Sequence, residues 1–249
     1  MDEFLPMLTY LISDLHLAPE HESGTALFQQ FMSTLAPHAD ALYVLGDLFE
    51  AWVGDDDDDP YVQNIIDRFQ QFTMEGKALY FQRGNRDFLL GEGFTQRTGG
   101  RMLADEYRTE LANQSVLLMH GDQLCVDDVE YQKFRAMVRT EAWQQALLAK
   151  PLAERKAIAA AMRMKSKESQ QNKAEYIMDV NQSAVESTLL NHQLTRLIHG
   201  HTHRPTHHQF NLNGLAAHRW VLGDWHDSAT IIKCTDTIEL ISIQLNGTM

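Results

Sequence analysis

The sequence is poor in thiols, in long apolar runs and, over most of its length, in positive charge. Its two cysteines, Cys125 and Cys234, lie far apart with no C-x-x-C spacing, which argues against a disulfide framework or a thiolate metal site and predicts a reducing, cytoplasmic setting. No apolar run approaches the roughly 20 residues of a spanning helix, and the opening MDEFLPMLTY is acidic where a secretory signal would be basic and then apolar. Any membrane contact is therefore expected to be peripheral. Internal repeats and disordered linkers are also lacking, so the 249 residues are expected to form a single domain, 1–249.

Basic residues are scarce and unevenly spread. The chain carries 21 Lys and Arg against 34 Asp and Glu, a net charge of −13, a field that discourages binding to nucleic acid. Residues 133–173 nevertheless hold 10 of the 21 basic residues and only three acids, Glu141, Glu154 and Glu168. Two readings of this stretch stay open: a solvated helix face, or a basic cap that receives an anionic ligand. The run Asp55 to Asp59 reads as a capped and solvated loop, with Asp59 as N-cap of a helix opened by Pro60.

Five short apolar runs end in polar, reactive residues: MLTYLISDLHL at Asp14, ALYVLGDLF at Gly46-Asp47, KALYFQRGNRD at Gly84-Asn85, SVLLMHGD at His120-Gly121 and LTRLIHGHTH at Gly200-His201. Helical stretches, GTALFQQFMSTLA and PYVQNIIDRFQQF, separate the first three runs, so the opening reads as parallel strands joined by helices, an α/β pattern. In such sheets ligands bind beyond the carboxyl ends of the strands, where all these residues would gather. Residues 127–191 read as a helical, lid-like insertion. Strands return in HHQFNL, HRWVLGDW, ATIIKC and TIELISIQL, whose β-branched alternation predicts an antiparallel second sheet.

The strand ends supply oxygen and imidazole together. A binuclear centre for phosphoester hydrolysis needs hard and borderline ligands around two ions about 3.5 to 4 Å apart, with a carboxylate between them. Asp14, His16, Asp47, Asn85, His120, His201 and His203 form such a set. In the five-histidine stretch LIHGHTHRPTHH, His199 reads as a strand residue before the turn at Gly200, and His207 and His208 as part of the next strand.

The blocks SDLHL, LGDLFEAW, RGNRDF, MHGD and HGHTHRP, spread over residues 13–205, resemble those of the calcineurin-like metallophosphoesterases. The finer spelling GDLFEAWVGDD, GNRDFLLG and SKESQQNKAEYIMDV resembles, within that superfamily, the UDP-2,3-diacylglucosamine diphosphatases of lipid A biosynthesis. The resemblance implies a four-layer αββα sandwich and two Mn²⁺ ions, one held by Asp14, His16 and His203, the other by Asn85, His120 and His201, with Asp47 as bridge. It implies cleavage of a UDP-linked diacylated glucosamine into UMP and a lipid sugar 1-phosphate, with Asp47, Asn85, Arg86 and His120 in catalytic positions. It also implies substrate contacts from Asn85, Arg86, Asp128, Ser166, Gln170, Lys173 and His201. The expected place is the cytoplasmic face of the bacterial inner membrane, in peripheral contact with anionic lipid, with no nucleic acid and no obligate protein partner.

Arg86 stands where many superfamily members carry a histidine. With a pKa above about 12 it offers charge and a donor fork but no usable proton, which suits a phosphate leaving group that departs without one. The alternative is that Arg86 merely pairs with Asp87 or another acid. In the insertion, Ser166, Gln170 and Lys173 fall at i, i+4 and i+7 on one helix face. Met137, Val138, Leu147, Leu148, Ile158, Met162 and Met164 supply apolar material, either as core or as the lining of an acyl-chain cleft.

Overall fold

A computed structural model describes residues 7–171 and 179–245, and no side chains at 167 and 169–171. Two sheets form the frame. The first runs in the order β11-β10-β1-β2-β3-β4, built from β1 (Thr9–Ile12), β2 (Ala41–Leu45), β3 (Ala78–Gln82), β4 (Arg101–Met102), β10 (Ser228–Cys234) and β11 (Ile238–Gln244). The strands β1 to β4 are parallel, as the sequence predicts for the first three, and β10 joins β1 antiparallel. The second sheet runs β5-β6-β7-β9-β8, from β5 (Glu106–Leu111), β6 (Gln114–Met119), β7 (Arg196–His199), β8 (Thr206–Leu212) and β9 (Leu215–Val221).

Period-2 alternation sorts the strand residues into separate cores. On β1, Tyr10 and Ile12 face Leu27, Phe28 and Phe31 of α1 (Glu22–Thr34) and Phe69 of α2 (Pro60–Met74). Between them, Leu11 faces the other way and meets Val116, Leu118 and Ile198 of the second sheet. The alternate β6 residues Leu117 and Met119 pack with Val185 and Leu189 of α7 (Gln182–Asn191). Three cores between four layers give the expected αββα sandwich. Cys125 and Cys234 are both free and buried.

The four C-terminal strands depart from the expectation of one antiparallel second sheet. They form two antiparallel hairpins, but β8-β9 closes the second sheet while β10-β11 extends the first. The reason lies on β10, where Ala229 and Ile231 enter the core under the helices and Ile232 and Cys234 enter the core between the sheets. A strand buried on both faces needs a covered position, and the place beside β1 provides one.

A short α3 (Glu92–Thr98) precedes β4, and between β6 and β7, both of the second sheet, the chain makes α4 (Val129–Val138), α5 (Glu141–Leu148), α6 (Leu152–Gln171) and α7. The run Asp55 to Asp59 is no plain solvated loop. Asp59 does cap α2, accepting from Tyr61 N–H at 2.9 Å, but its neighbours dock α6. Arg155, 3% exposed, pairs with Asp56 and donates to Val53 C=O at 2.5 Å, while Lys156 Nζ lies 2.8 Å from Asp57. Further along, Arg135 and Arg139 reach Asp105 and Asp122, and Arg163 reaches Glu50 at 2.6 Å. Of the apolar residues in this stretch, Val138 and Leu147 are core and Ile158 and Met162 pack against it; Met137, Leu148 and Met164 are exposed. No described helix is long and apolar enough to cross a membrane.

One histidine is wholly inside. His199 on β7 is fully buried, with Nδ1 2.8 Å from Gly200 C=O and Nε2 facing Arg219 Nη1 at 3.2 Å. Burial, with the Arg219 charge added, pushes its pKa down to about 3. The unfolded chain binds this proton near pH 6.5 and the folded chain does not, so His199 removes stability as the pH falls from about 6.5 towards 3. His199→Gln, which keeps an acceptor for Arg219, is expected to flatten this part of the profile. Urea unfolding at pH 7 and pH 4.5 should show a smaller drop in the variant than in the wild type, and an equal drop would contradict the assignment.

Candidate metal centre

The turns after the strands hold an unusual backbone. Nine non-glycine residues among those described have positive φ. Four of them, Ala112, Asn113, Gln193 and Asn213, sit in tight turns; the other five are Asp14, His16, Asp47, His201 and His203, with φ between 47° and 68°. Left-handed conformations cost a side-chain-bearing residue about 1 kcal/mol or more and persist where surrounding structure enforces them. Five of the seven residues singled out by sequence chemistry carry that strain, and it turns their side chains into one cluster.

Ligand atoms of Asp14, His16 and His203 lie within 4.8 Å of one another, and so do those of Asp14, Asp47 and His120. Asp14 thus belongs to both groups. Around the second, Asn85 Oδ1 stands 2.9 Å from His120 Nε2 and 2.8 Å from His201 Nδ1. Asp47 lies between the groups, with Oδ2 3.8 Å from His16 Nε2 and Oδ1 3.7 Å from His120 Nε2. The structure therefore brings all seven residues together.

Two features fit this cluster to cations. Asp14 is fully buried and its Oδ1 has no close hydrogen-bond partner, His203 Nε2 standing 3.4 Å away, a costly state for a carboxylate oxygen unless a cation is bound there. Three of the four imidazoles are also oriented as ligands are, the far nitrogen turned to an oxygen: His120 Nδ1 to Leu45 C=O at 2.9 Å, His16 Nδ1 to Glu50 at 2.9 Å and His203 Nδ1 to Asp224 at 3.3 Å. That leaves His16 Nε2 and His203 Nε2 facing each other 3.2 Å apart. The surroundings demand positive charge: burial opposes protonation of His203, yet Asp14 and Asp224 push its pKa up to about 10. His201 goes the other way, down to about 4, through burial and the neighbouring His120.

The turns are locked by carboxylates that the sequence blocks contain but that ligand chemistry alone did not single out. Asp87 accepts from the N–H groups of Gly84 at 2.7 Å, Leu48 at 2.7 Å and Asp47 at 3.3 Å, tying the second turn to the third. Burial and nearby Asp47 raise it to about 6. Asp122, also buried, accepts from Tyr131 O–H at 2.6 Å and Arg135 Nε at 2.8 Å. Glycine permits the approach of these turns: a Cβ on Gly84 would collide with Asp47, and one on Gly200 with Asp14. Glu50 and Asp224, which orient His16 and His203, were likewise missed; Asp224 follows a glycine at a strand end, as Asp47 does.

A cavity of about 450 Å³ opens beside the cluster, with His16, Glu50, Arg86, Arg163 and His203 in its wall. Arg86 does not pair with Asp87, whose oxygens are taken by the backbone. Its Nε lacks a partner, and its charge helps to hold Glu50 down at about 2, where burial alone would raise it and the His16 hydrogen bond and Arg163 also lower it. Asp128 is the N-cap of α4, accepting from Tyr131 N–H at 3.1 Å, and Ser166 is half-buried on α6. The Gln170 side chain and Lys173 lie outside the described residues.

Residues 7–205 match the calcineurin-like phosphoesterase family. The chain is 49% identical over 236 residues to a UDP-2,3-diacylglucosamine hydrolase of Escherichia coli O7:K1, covering 94% of this chain and 98% of that one. The values are the same for the enzyme of that name from Shigella boydii serotype 18. Among solved structures, a novel archaeal phosphodiesterase superposes with a TM-score of 0.50 at 12% identity, over 95% of this chain and 100% of that one, a likeness of fold. The strained ligand turns, the two linked metal-ligand groups and the match over four-fifths of its length place the chain in the calcineurin-like metallophosphoesterases.

Proposed function

We propose that this protein hydrolyses the pyrophosphate bond of UDP-2,3-diacylglucosamine to UMP and 2,3-diacylglucosamine 1-phosphate in lipid A biosynthesis. The observation that carries the reading is the gathering of all seven ligand-type residues in a chain nearly half identical to enzymes of that name. Two Mn²⁺ ions are the proposed cofactors, one on Asp14, His16 and His203 and one on Asn85, His120 and His201, with Asp47 between. The chain is read as a single domain, 1–249, with an insertion at about 127–191 that covers the substrate. Its place is the cytoplasmic face of the inner membrane. Six of the nine large hydrophobics exposed among the described residues, Val126, Val129, Met137, Leu148, Met164 and Leu190, lie in or beside this insertion, which supports contact with acyl chains and lipid.

When bound, the ions supply Lewis-acid charge and activation of the attacking water. The chain's own groups do the rest. Arg86 sets a permanent positive charge beside the phosphoryl oxygens, and Asn85 Oδ1 converges with His120 Nε2 and His201 Nδ1 on the place the second ion would take. His201, with its pKa near 4, stays neutral and can orient a substrate oxygen without competing for the proton. Water attacks the α phosphorus, its oxygen staying with UMP, while the bond to the bridging oxygen breaks and its electron pair leaves with the sugar 1-phosphate. That leaving group has a second pKa of about 6, so no general acid is needed. Asp128, Ser166, Gln170 and Lys173 are the proposed contacts to the rest of the substrate.

Asp47→Ala is expected to remove nearly all turnover and His199→Ala to leave most of it, because His199 binds Gly200 and Arg219 rather than the cluster. Equal loss in both variants, measured with Mn²⁺ and UDP-2,3-diacylglucosamine, would overturn the ligand set. Hydrolysis in ¹⁸O-water should label UMP and leave the sugar phosphate unlabelled; mass spectrometry showing the reverse would reassign the attacked phosphorus. For Lys173→Ala, kcat/KM should fall tens-fold or more on the acylated substrate, about 2 kcal/mol for a charge-assisted contact. A small phosphodiester should be cleaved almost as before, and equal losses on both would make the lysine part of the scaffold.

A further inference from the structure

A second pair of imidazoles repeats the geometry of the His16–His203 pair. His21, at the start of α1, and His226, in the turn before β10, are 205 positions apart, yet His21 Nε2 lies 3.1 Å from His226 Nδ1. The ring centroids are 5.1 Å apart with planes at 65°; in the His16–His203 pair they are 5.1 Å apart at 60°. The far nitrogens are again turned to oxygen. His21 Nδ1 faces His16 C=O at 3.3 Å, and His226 Nε2 faces Asp224 Oδ2 at 3.1 Å. The same Asp224 oxygen stands 3.3 Å from His203 Nδ1, so one carboxylate orients one histidine in each pair.

These partners fix the tautomers. A carbonyl oxygen accepts only, so His21 carries its proton on Nδ1 and presents a lone pair at Nε2; Asp224 likewise draws the His226 proton to Nε2 and leaves a lone pair at Nδ1. Two lone pairs facing each other at 3.1 Å repel unless a proton or a cation lies between them. An ion at zinc–imidazole distance from both nitrogens would subtend about 95–100°, within reach of tetrahedral or octahedral geometry. The rings are built into place: His21 packs so closely on Gly24 that a Cβ there would meet its Cε1 at 2.6 Å. Glu20 lines the same cavity as both histidines, 3.9 Å from Arg163, but does not gather with them into a three-residue ligand group, so the two imidazoles alone define the place.

A third close pair, His207 and His218 on β8 and β9, lacks this character. Its nitrogens are 3.0 Å apart, but the rings stack at 21° and on Trp220, and neither far nitrogen has an oxygen partner among the described residues.

From this geometry we propose that His21 and His226, oriented by His16 C=O and Asp224, form a further site for a borderline divalent cation such as Zn²⁺, on the cavity wall beside the binuclear centre. Imidazole nitrogen favours zinc and its late-transition neighbours over Mg²⁺ or Ca²⁺.

The test is the zinc content of the full-length protein after equilibrium dialysis against Zn²⁺, by atomic emission. The wild type should hold one more ion per chain than His21→Ala and His226→Ala, three against two, with His207→Ala matching the wild type. Thermal unfolding of each variant checks that it is folded, and His226→Cys, which restores a zinc ligand, should recover the ion. Equal zinc in the wild type and both alanine variants would overturn the site and assign the gap to a shared proton. Loss of the ion in His207→Ala instead would place it on the strand pair and also overturn the proposal. The absolute number tests the binuclear reading separately: one ion in the wild type and none in His21→Ala would leave this site standing and remove the two-ion centre.

Discussion

Two carboxylates, Asp14 and Asp47, are taken almost wholly out of water at the seam between the sheets, and much of the nearby structure answers their charge. Burying an ionised carboxylate is expensive unless it is paired or binds a metal. Here the compensation is laid out in shells. His16, His120 and His203 stand nearest; Leu45 C=O, Glu50 and Asp224 orient those rings; Asp87 and Asp122 fasten the turns behind. The left-handed φ of Asp14, His16, Asp47, His201 and His203 is the backbone cost of aiming five side chains inward from turns that follow three different strands. Such strain survives because each turn is held by its neighbours: Asp14 N–H by Gly46 C=O, His16 N–H by Asp47 C=O and His201 N–H by the Asp14 carboxylate.

The strand ends were legible because burial on both faces writes near-continuous apolar runs, and a run that stops at Gly-Asp or His-Gly marks both the strand's end and the residue it delivers. The split of His199 from His201 and His203 was legible for the same reason, since Gly200 interrupts the strand. Sheet membership of the C-terminal hairpins was not. TIIKC and RWVL alternate alike, and only the cores available on each side put β10 beside β1 and β9 beside β7. The orienting residues were hidden differently: Glu50 and Asp224 sit beside recognisable ligands, but nothing in their spelling states that an imidazole will turn its far nitrogen to them.

The acidic run and the basic insertion were readable separately as charge and unreadable as a contact, because Asp56 and Arg155 are 99 positions apart. Their meeting alters what the charge pattern means. Of the eight basic residues in 133–173 whose side chains are described, seven pair with acids: Lys133 and Lys150 with near neighbours, and Arg135, Arg139, Arg155, Lys156 and Arg163 with Asp105, Asp122, Asp56, Asp57 and Glu50. Much of the local positive charge is therefore spent on holding the helices to the sandwich. Arg155 is nearly enclosed, so its bond to Val53 C=O is shielded, whereas its partner Asp56 is 64% exposed and that pair stays open to water, as the exposed Lys133–Glu130 pair does, which contributes little.

This internal pairing bears on the proposed contact of the insertion with lipid. Each free basic group near an anionic surface is worth about 1 kcal/mol and is screened by salt, but an arginine already bound to a buried aspartate must give up that partner first. The attraction that remains rests more on apolar side chains. Val126, Val129, Met137, Leu148 and Met164 are exposed around the same helices, and burying a single such side chain is worth about 1.5–3 kcal/mol, more than one free lysine supplies. Through Arg163 and Glu50 the lid is also connected to the metal centre: Glu50 takes Arg163 on one oxygen and His16 on the other. Under the proposed function, a movement of α6 that made room for an acyl chain would pull on the Glu50 carboxylate that orients His16, linking the insertion to the metal-ligand cluster.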